Sequence, residues 1–174
     1  MGRIAAVVLA AGEASRFGSP KQKILLPRVL DRLRRTQVDE IVVVEGAYEL
    51  TLPTADASDG PPTRIAPCAD WELGPGASLR CGLEALGPEV EAAVVLLADG
   101  PDLAPDAVER VLEEWRRRRR TTAASYGGER GHPLVLGRND WHGVPDEGLR
   151  GRTVTLVPCD DLGPPGDVDR PEDV

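Results

Sequence analysis

A chain of 174 residues with 41% hydrophobic side chains is long enough to bury a core of its own, so disorder as the global state is excluded. Its 29 acidic residues outnumber 21 basic ones and leave a net charge of −8, which argues against nucleic acid as a partner while leaving small anionic ligands open. No apolar run approaches the roughly 18 residues of a membrane span and no leader pattern opens the chain, so the expectation is a soluble, cytoplasmic protein with no membrane partner.

Residues 4–10 form a continuous Val- and Ile-rich run without alternation, the pattern of a strand buried on both faces of a parallel sheet. Val29, Leu30 and Leu33 mark a first helix. A second strand is expected at 41–44, followed by a polar, proline-bearing excursion over 51–63 that returns to the sheet. Leu79, Gly82, Leu83 and Leu86 repeat at helical spacing, and 92–98 is a third buried run. Val108, Val111, Leu112 and Trp115 make one apolar stripe, so the spacing predicts a helix from 105 to about 118, with Pro105 in its first turn and Asp106 at the positive end of its dipole. The arginines at 116–120 then fall at its negative end, as a solvated run. A last strand is expected at 154–157. Strands alternating with helices mean an α/β fold, read as one domain over 1–174. Cys68, Cys81 and Cys159 are an odd set without a Cys-x-x-Cys pair, and only His132 and His142 are available to assist them. Zinc is therefore not expected, and the three are read as reduced, buried thiols.

The chemistry concentrates where the first strand ends. Leu9-Ala10-Ala11-Gly12 supplies small residues beyond the carboxyl end of a buried strand, where open α/β sheets bind ligands and where a backbone can approach a phosphate closely. The loop that follows is neither a Walker A sequence nor Gly-x-Gly-x-x-Gly. Of the 21 basic residues only Lys21 and Lys23 are lysines, and both stand at the far end of this loop. A compact ammonium can sit between phosphate oxygens while Arg16 offers a planar fork, so the pair Arg16 and Lys21 suits a triphosphate.

Val8-Leu9-Ala10-Ala11-Gly12-x-x-x-Arg16-Phe17-Gly18-x-Pro20-Lys21 resembles the signature of the MobA-like nucleotidyltransferases, in particular their molybdenum cofactor cytidylyltransferase branch. The resemblance implies a Rossmann-like three-layer sandwich with a mostly parallel central sheet, of the nucleotide-diphospho-sugar transferase type. It also implies a loop that wraps a nucleoside triphosphate through Leu9, Ala10, Ala11, Gly12, Arg16 and Lys21. Ala98-Asp99-Gly100-Pro101 matches a second family motif, an Asp-x-Pro whose carboxylate holds magnesium. A carboxylate at the end of a central strand is suited to that role, because a hard ion prefers oxygen ligands. Asp102 is the better candidate for capping the following helix. The tail, with Asp167 and Asp169 before Arg170-Pro171-Glu172-Asp173, resembles the family's acidic ending, and one of these two aspartates is expected to complete the metal site.

Asp70-Trp71-Glu72-Leu73-Gly74-Pro75-Gly76-Ala77-Ser78 resembles the segment that runs over the base and ribose, with Gly76 and Ser78 at a helix start offering an amide and a hydroxyl. Gly131-His132-Pro133 and Asp146-Glu147-Gly148-Leu149-Arg150 resemble acceptor-side segments, so His132, Pro133 and Arg150 are expected to contact the acceptor. One departure is a shortened segment after Lys21, where Ile24-Leu25-Leu26-Pro27 runs straight into Arg28, and it is expected to reshape the acceptor pocket.

Together these imply a magnesium-dependent transfer of a nucleoside monophosphate to a phosphorylated acceptor with release of pyrophosphate, in which Arg16, Lys21 and Asp99 are the catalytic groups. Ala11 points to the cytidylyl branch, hence CTP. The acceptor implied is molybdopterin, and the further partner a molybdoenzyme or its chaperone. Guanylyl transfer from GTP to a small phosphorylated metabolite such as phospholactate is the alternative. A noncatalytic nucleotide- or cofactor-binding partner protein is the reading from another class.

Overall fold

Why the first apolar run does not alternate becomes plain from its neighbours. β1 (Arg3–Leu9) lies between β2 (Glu40–Glu45) and β4 (Val90–Leu97), parallel to both, and its side chains enter a core on each face of the sheet. The computed structural model describes residues 2–12, 21–53 and 59–167. Seven strands stand in the order β3-β2-β1-β4-β6-β5-β7, with β3 at Thr63–Pro67, β5 at Thr122–Tyr126, β6 at Glu129–Gly137 and β7 at Thr155–Pro158. All neighbours run parallel except β6, which is antiparallel to both β4 and β5.

Three α-helices among the described residues cover the sheet. Ile4, Ala6 and Val8 join a core with Leu26, Leu30 and Leu33 of α1 (Lys21–Leu33) and with Val108, Val111, Leu112 and Trp115 of α3 (Pro105–Arg118). Ala5 and Val7 face the opposite way, against Leu79 and Leu83 of α2 (Pro75–Glu84). This is the expected three-layer α/β arrangement with a mostly parallel sheet. No helix among the described residues is long and apolar enough to cross a membrane.

The stripe from 105 to 118 forms the helix its spacing predicts, with Pro105 at the start and the arginine run at its C-terminal end. α1 begins earlier than Val29, because Leu25 and Leu26 are as deeply buried as the residues that marked it. β3, β5 and β6 add three strands to the four expected. The residue before α3 is Ala104, without a side-chain cap, so Asp102 does not cap that helix. Its carboxylate instead accepts a hydrogen bond from Arg28 at 3.0 Å.

The cysteines also require a correction. Cys68 and Cys81 form a disulfide across 13 residues, with Cα atoms 5.7 Å apart, and only Cys159 remains a free, buried thiol. The cause is topological: Cys68 follows the carboxyl end of β3, and α2 folds back beside that strand, carrying Cys81 onto it.

Candidate active site

β1 leads through α1 to β2 and β4 leads through α3 to β5, in opposite directions along the strand order, and at such a switch point their carboxyl ends leave a crevice open to a ligand. The two strands are in register there. Leu9 lies beside Leu97, and the Ala98 amide donates to the Leu9 carbonyl at 3.0 Å. The two segments singled out for phosphate and metal, 9–12 and 98–99, are therefore adjacent in space.

A cavity of about 320 Å³ opens at this point, walled by Leu9, Ala11, Gly12 and Gln22 on one side, by Trp71, Glu72, Gly74, Pro75 and Ser78 on the other, and by Leu97 and Asp99 at its end. Ala10 and Ala11 are buried beneath it. The Ala11 carbonyl accepts from the Ala47 amide at 3.0 Å, so Ala11 shapes the turn through its backbone. Gln22 holds the next residue, donating from Nε2 to the Gly12 carbonyl at 2.9 Å.

Lys21 opens α1, and its side chain is 11% exposed. Its Nζ lies 3.1 Å from Asp99 Oδ2 and 3.9 Å from Asp167 Oδ1, which brings an ammonium from the first loop to carboxylates from mid-chain and from the tail. Arg16 and Asp169 lie outside the described residues. No cluster of three or more metal-ligating side chains occurs among the described residues. The donor set nonetheless fits a hard divalent ion: Asp99 and Asp167 offer only oxygen, already gather around one positive charge, and leave positions for phosphate oxygens and water.

Two further cavities adjoin this one. The larger, about 600 Å³, has a floor of Leu9, Leu79, Val95, Leu97, Leu134 and Leu149 and a rim that carries Arg130, His132 and Arg150. Another of about 440 Å³ runs from Asp99 and Asp167 past Tyr126 to Arg130 and His132. Leu97, 39% exposed despite its size, lines all three cavities and forms their common floor. The imidazole of His132 is pushed down to about 4 by burial first and by the Arg130 guanidinium second, with Asp99 opposing, so it is neutral at pH 7. The Tyr126 hydroxyl donates to the His132 carbonyl at 2.8 Å, and burial pushes that phenol up to about 12.

His132, Arg150 and Ser78 thus stand at cavity walls, where the sequence motifs point. Pro133 is buried in β6 and lines none of the three cavities, which places it behind the wall as support. Gly76 differs most from expectation. Its amide donates to the Asp146 carbonyl at 2.8 Å, and a Cβ there would lie 1.6 Å from the Pro145 carbonyl oxygen. Only glycine allows that approach, so Gly76 joins α2 to the 145–150 segment and does not offer its amide to a base. Arg80 fastens the same joint, donating to the Val144 carbonyl at 2.6 Å and to the Asp146 carboxylate.

Gln22 and Arg130 are wall residues that no motif marked out, whereas Trp71 and Glu72 belong to the segment expected over the base and ribose without being singled out there as contacts. Gln22 adjoins Lys21 in sequence, and a polar side chain at the buried start of a helix that follows a phosphate loop is a readable signal. For Arg130, two positions before His132, the signal was its place beside the Gly-His-Pro segment.

Residues 6–151 match the family model of the MobA-like NTP transferase domain. The chain is 27% identical to Rv0371c of Mycobacterium tuberculosis H37Rv, with a TM-score of 0.76 over 98% of this chain and 95% of that one. A manganese complex of Rv0371c superposes with a TM-score of 0.67 at 24% identity, over 90% of this chain and 88% of that one. The 4-diphosphocytidyl-2C-methyl-D-erythritol synthase of Anaerococcus prevotii shares the fold at 15% identity, with a TM-score of 0.69 over 99% of this chain and 94% of that one. Among curated proteins the chain is 32% identical over 123 residues to the bifunctional protein GlmU of Cutibacterium acnes. That match takes in 66% of this chain but spans only 29% of the relative's length.

Proposed function

The chain belongs to the MobA-like NTP transferase family and is a nucleotidyltransferase by that membership, and we propose that it transfers CMP from CTP to a phosphorylated acceptor, releasing pyrophosphate. The observation that carries the proposal is the meeting of Lys21 with Asp99, 3.1 Å apart at the end of a cavity floored by the β1 and β4 termini. An anionic acceptor phosphate needs no base to activate it, so catalysis reduces to alignment and to neutralising charge. The 9–12 turn receives the triphosphate in this reading, with Arg16 and Lys21 on its oxygens and Ser78 on the side of the base and ribose.

Asp99 and Asp167, with Asp169 as the alternative tail ligand, would hold Mg²⁺. A structure of Rv0371c has been solved as a complex with manganese, which supports a divalent ion in this reading. The bound ion would supply positive charge that offsets the negative charge building up as pyrophosphate departs. The Lys21 ammonium, beside both carboxylates, would hold phosphate oxygens at the same place. His132, neutral at pH 7, is a hydrogen-bonding group toward the acceptor and Arg150 a charged one.

Molybdopterin is the acceptor proposed, on the Gly131-His132-Pro133 and 146–150 segments, with a molybdoenzyme or its chaperone as the further partner. A short aliphatic phosphate such as phospholactate is the second reading, favoured by the wholly aliphatic floor of the larger cavity. Pyrophosphate release, measured with each ribonucleoside triphosphate against each acceptor, tests the proposal. Turnover with CTP, reduced on the order of 10²- to 10³-fold in Asp99→Asn, is expected. Preference for GTP rejects the base assignment, and unimpaired Asp99→Asn rejects the role of that carboxylate.

A further inference from the structure

Arg130 is a charge in the cavity wall that nucleotide and metal binding leave unused. Several arginines of the chain face carboxylates: Arg28 meets Asp102, Arg64 meets Glu40, Arg80 meets Asp146 and Arg110 meets Asp161. Arg130 is partly buried near the start of β6, and its one hydrogen bond runs from Nη1 to the Arg152 carbonyl at 3.2 Å. No carboxylate among the described residues offsets it; burial and the neighbouring Arg152 both work against its charge. Among the described residues, a guanidinium thus stands in a cavity wall with a backbone carbonyl as its partner and no carboxylate. That arrangement is short of an anion, and a guanidinium fork fits a phosphate in two-pronged fashion.

Its position says which phosphate. Arg130 lines the two outer cavities but not the one bounded by Gly12 and Gln22. Asp99 lines both the inner cavity and the outer one that holds Arg130, so the guanidinium shares a cavity with that carboxylate while standing outside the one walled by Gly12 and Gln22. In-line displacement at phosphorus needs the entering and leaving oxygens on opposite sides of the reacting atom.

Building on the nucleotidyl-transfer reading, we propose that Arg130 grips the phosphate of the acceptor and turns one of its oxygens toward the α-phosphorus of the nucleotide. A bond forms between that oxygen and the α-phosphorus, the bond from α-phosphorus to the α,β-bridging oxygen breaks, and pyrophosphate leaves with the electron pair. No oxidant and no net proton transfer are required.

Inorganic phosphate is the probe, titrated calorimetrically into the wild type, Arg130→Gln and Arg130→Lys, each free and saturated with α,β-methylene-CTP and Mg²⁺. Phosphate is expected to bind the wild type in both states, to bind Arg130→Gln about 10- to 100-fold more weakly, and to bind Arg130→Lys at an intermediate level. Affinity for the methylene analogue should be the same in all three, and far-UV dichroism should report the same fold. Undiminished phosphate binding by Arg130→Gln overturns the inference, as does displacement of phosphate by the analogue, which would give Arg130 to the triphosphate. If the analogue does not bind the wild type at all, the nucleotide reading fails separately, and the titration of free protein still decides for or against Arg130 as a phosphate ligand.

Discussion

Replacing Lys21 by methionine keeps the length of the side chain and removes its charge from between two carboxylates. At an effective dielectric of about 20, unit charges 3.1 Å apart attract by about 5 kcal/mol, and this sets the gross scale for Lys21 and Asp99. Asp167, 3.9 Å away and 70% exposed, adds little because water screens it. The ammonium gives up hydration to reach this place, while Asp99 keeps 25% of its side chain in water, so the net loss in Lys21→Met should be about 2 to 3 kcal/mol. Urea unfolding in the presence of EDTA measures it. A divalent ion can take over the missing charge, so manganese should stabilise Lys21→Met more than it stabilises the wild type, in which the ammonium competes for Asp99. A variant as stable as the wild type in EDTA, or equal stabilisation of both proteins by manganese, would refute the reasoning.

Breaking the Cys68–Cys81 disulfide with a dithiol reductant should lower stability by about 3 kcal/mol through loop entropy, for a sequence separation of 13, and an unchanged urea midpoint would contradict this. Gly76→Ala should destabilise by about 3 kcal/mol, because the new Cβ falls 1.6 Å from the Pro145 oxygen. The displaced 145–150 segment should also raise the KM for the acceptor more than that for the nucleotide. His132 is held neutral by the fold with its titration pushed down to about 4, against an ordinary value of 6.5. The unfolded chain therefore takes up the proton first as pH falls, so stability is intact above pH 6.5 and declines by roughly 3 kcal/mol on acidification toward 4. His132→Gln, measured without metal, should flatten that decline; an unchanged slope would show that the imidazole is not its source.

How much of this could be read from residues alone divides along physical lines. Buried parallel strands announce themselves through unbroken Val and Ile runs, and the turn at the carboxyl end of such a strand is local in sequence, so the places of residues 9–12 and Asp99 at strand ends are legible there. Their adjacency rests on the β1–β4 pairing, which no local pattern encodes. β6 was hidden by its own composition. Glu129 to His132 are not apolar, and Pro133 argues against a strand, yet it falls at the register shift opposite Ala123 and Ser125, where no ladder amide is asked of it. With β6 unread, Arg130 had no wall to belong to. Gly76 was assigned to a base because helix starts offer free amides; only the tertiary packing of 145–150 reveals that this one is taken. The disulfide likewise depends on how α2 lies beside β3 and not on any Cys spacing.

The most direct test of the central claim is calorimetric titration of CTP into the wild type and Asp99→Asn, each with and without manganese. Binding by the wild type that tightens with the metal, and loss of that tightening in Asp99→Asn, is the predicted result. No heat from any of the common ribonucleoside triphosphates, or equal tightening by the metal in both proteins, would contradict a polyphosphate grip at 9–12 joined through a divalent ion to Asp99.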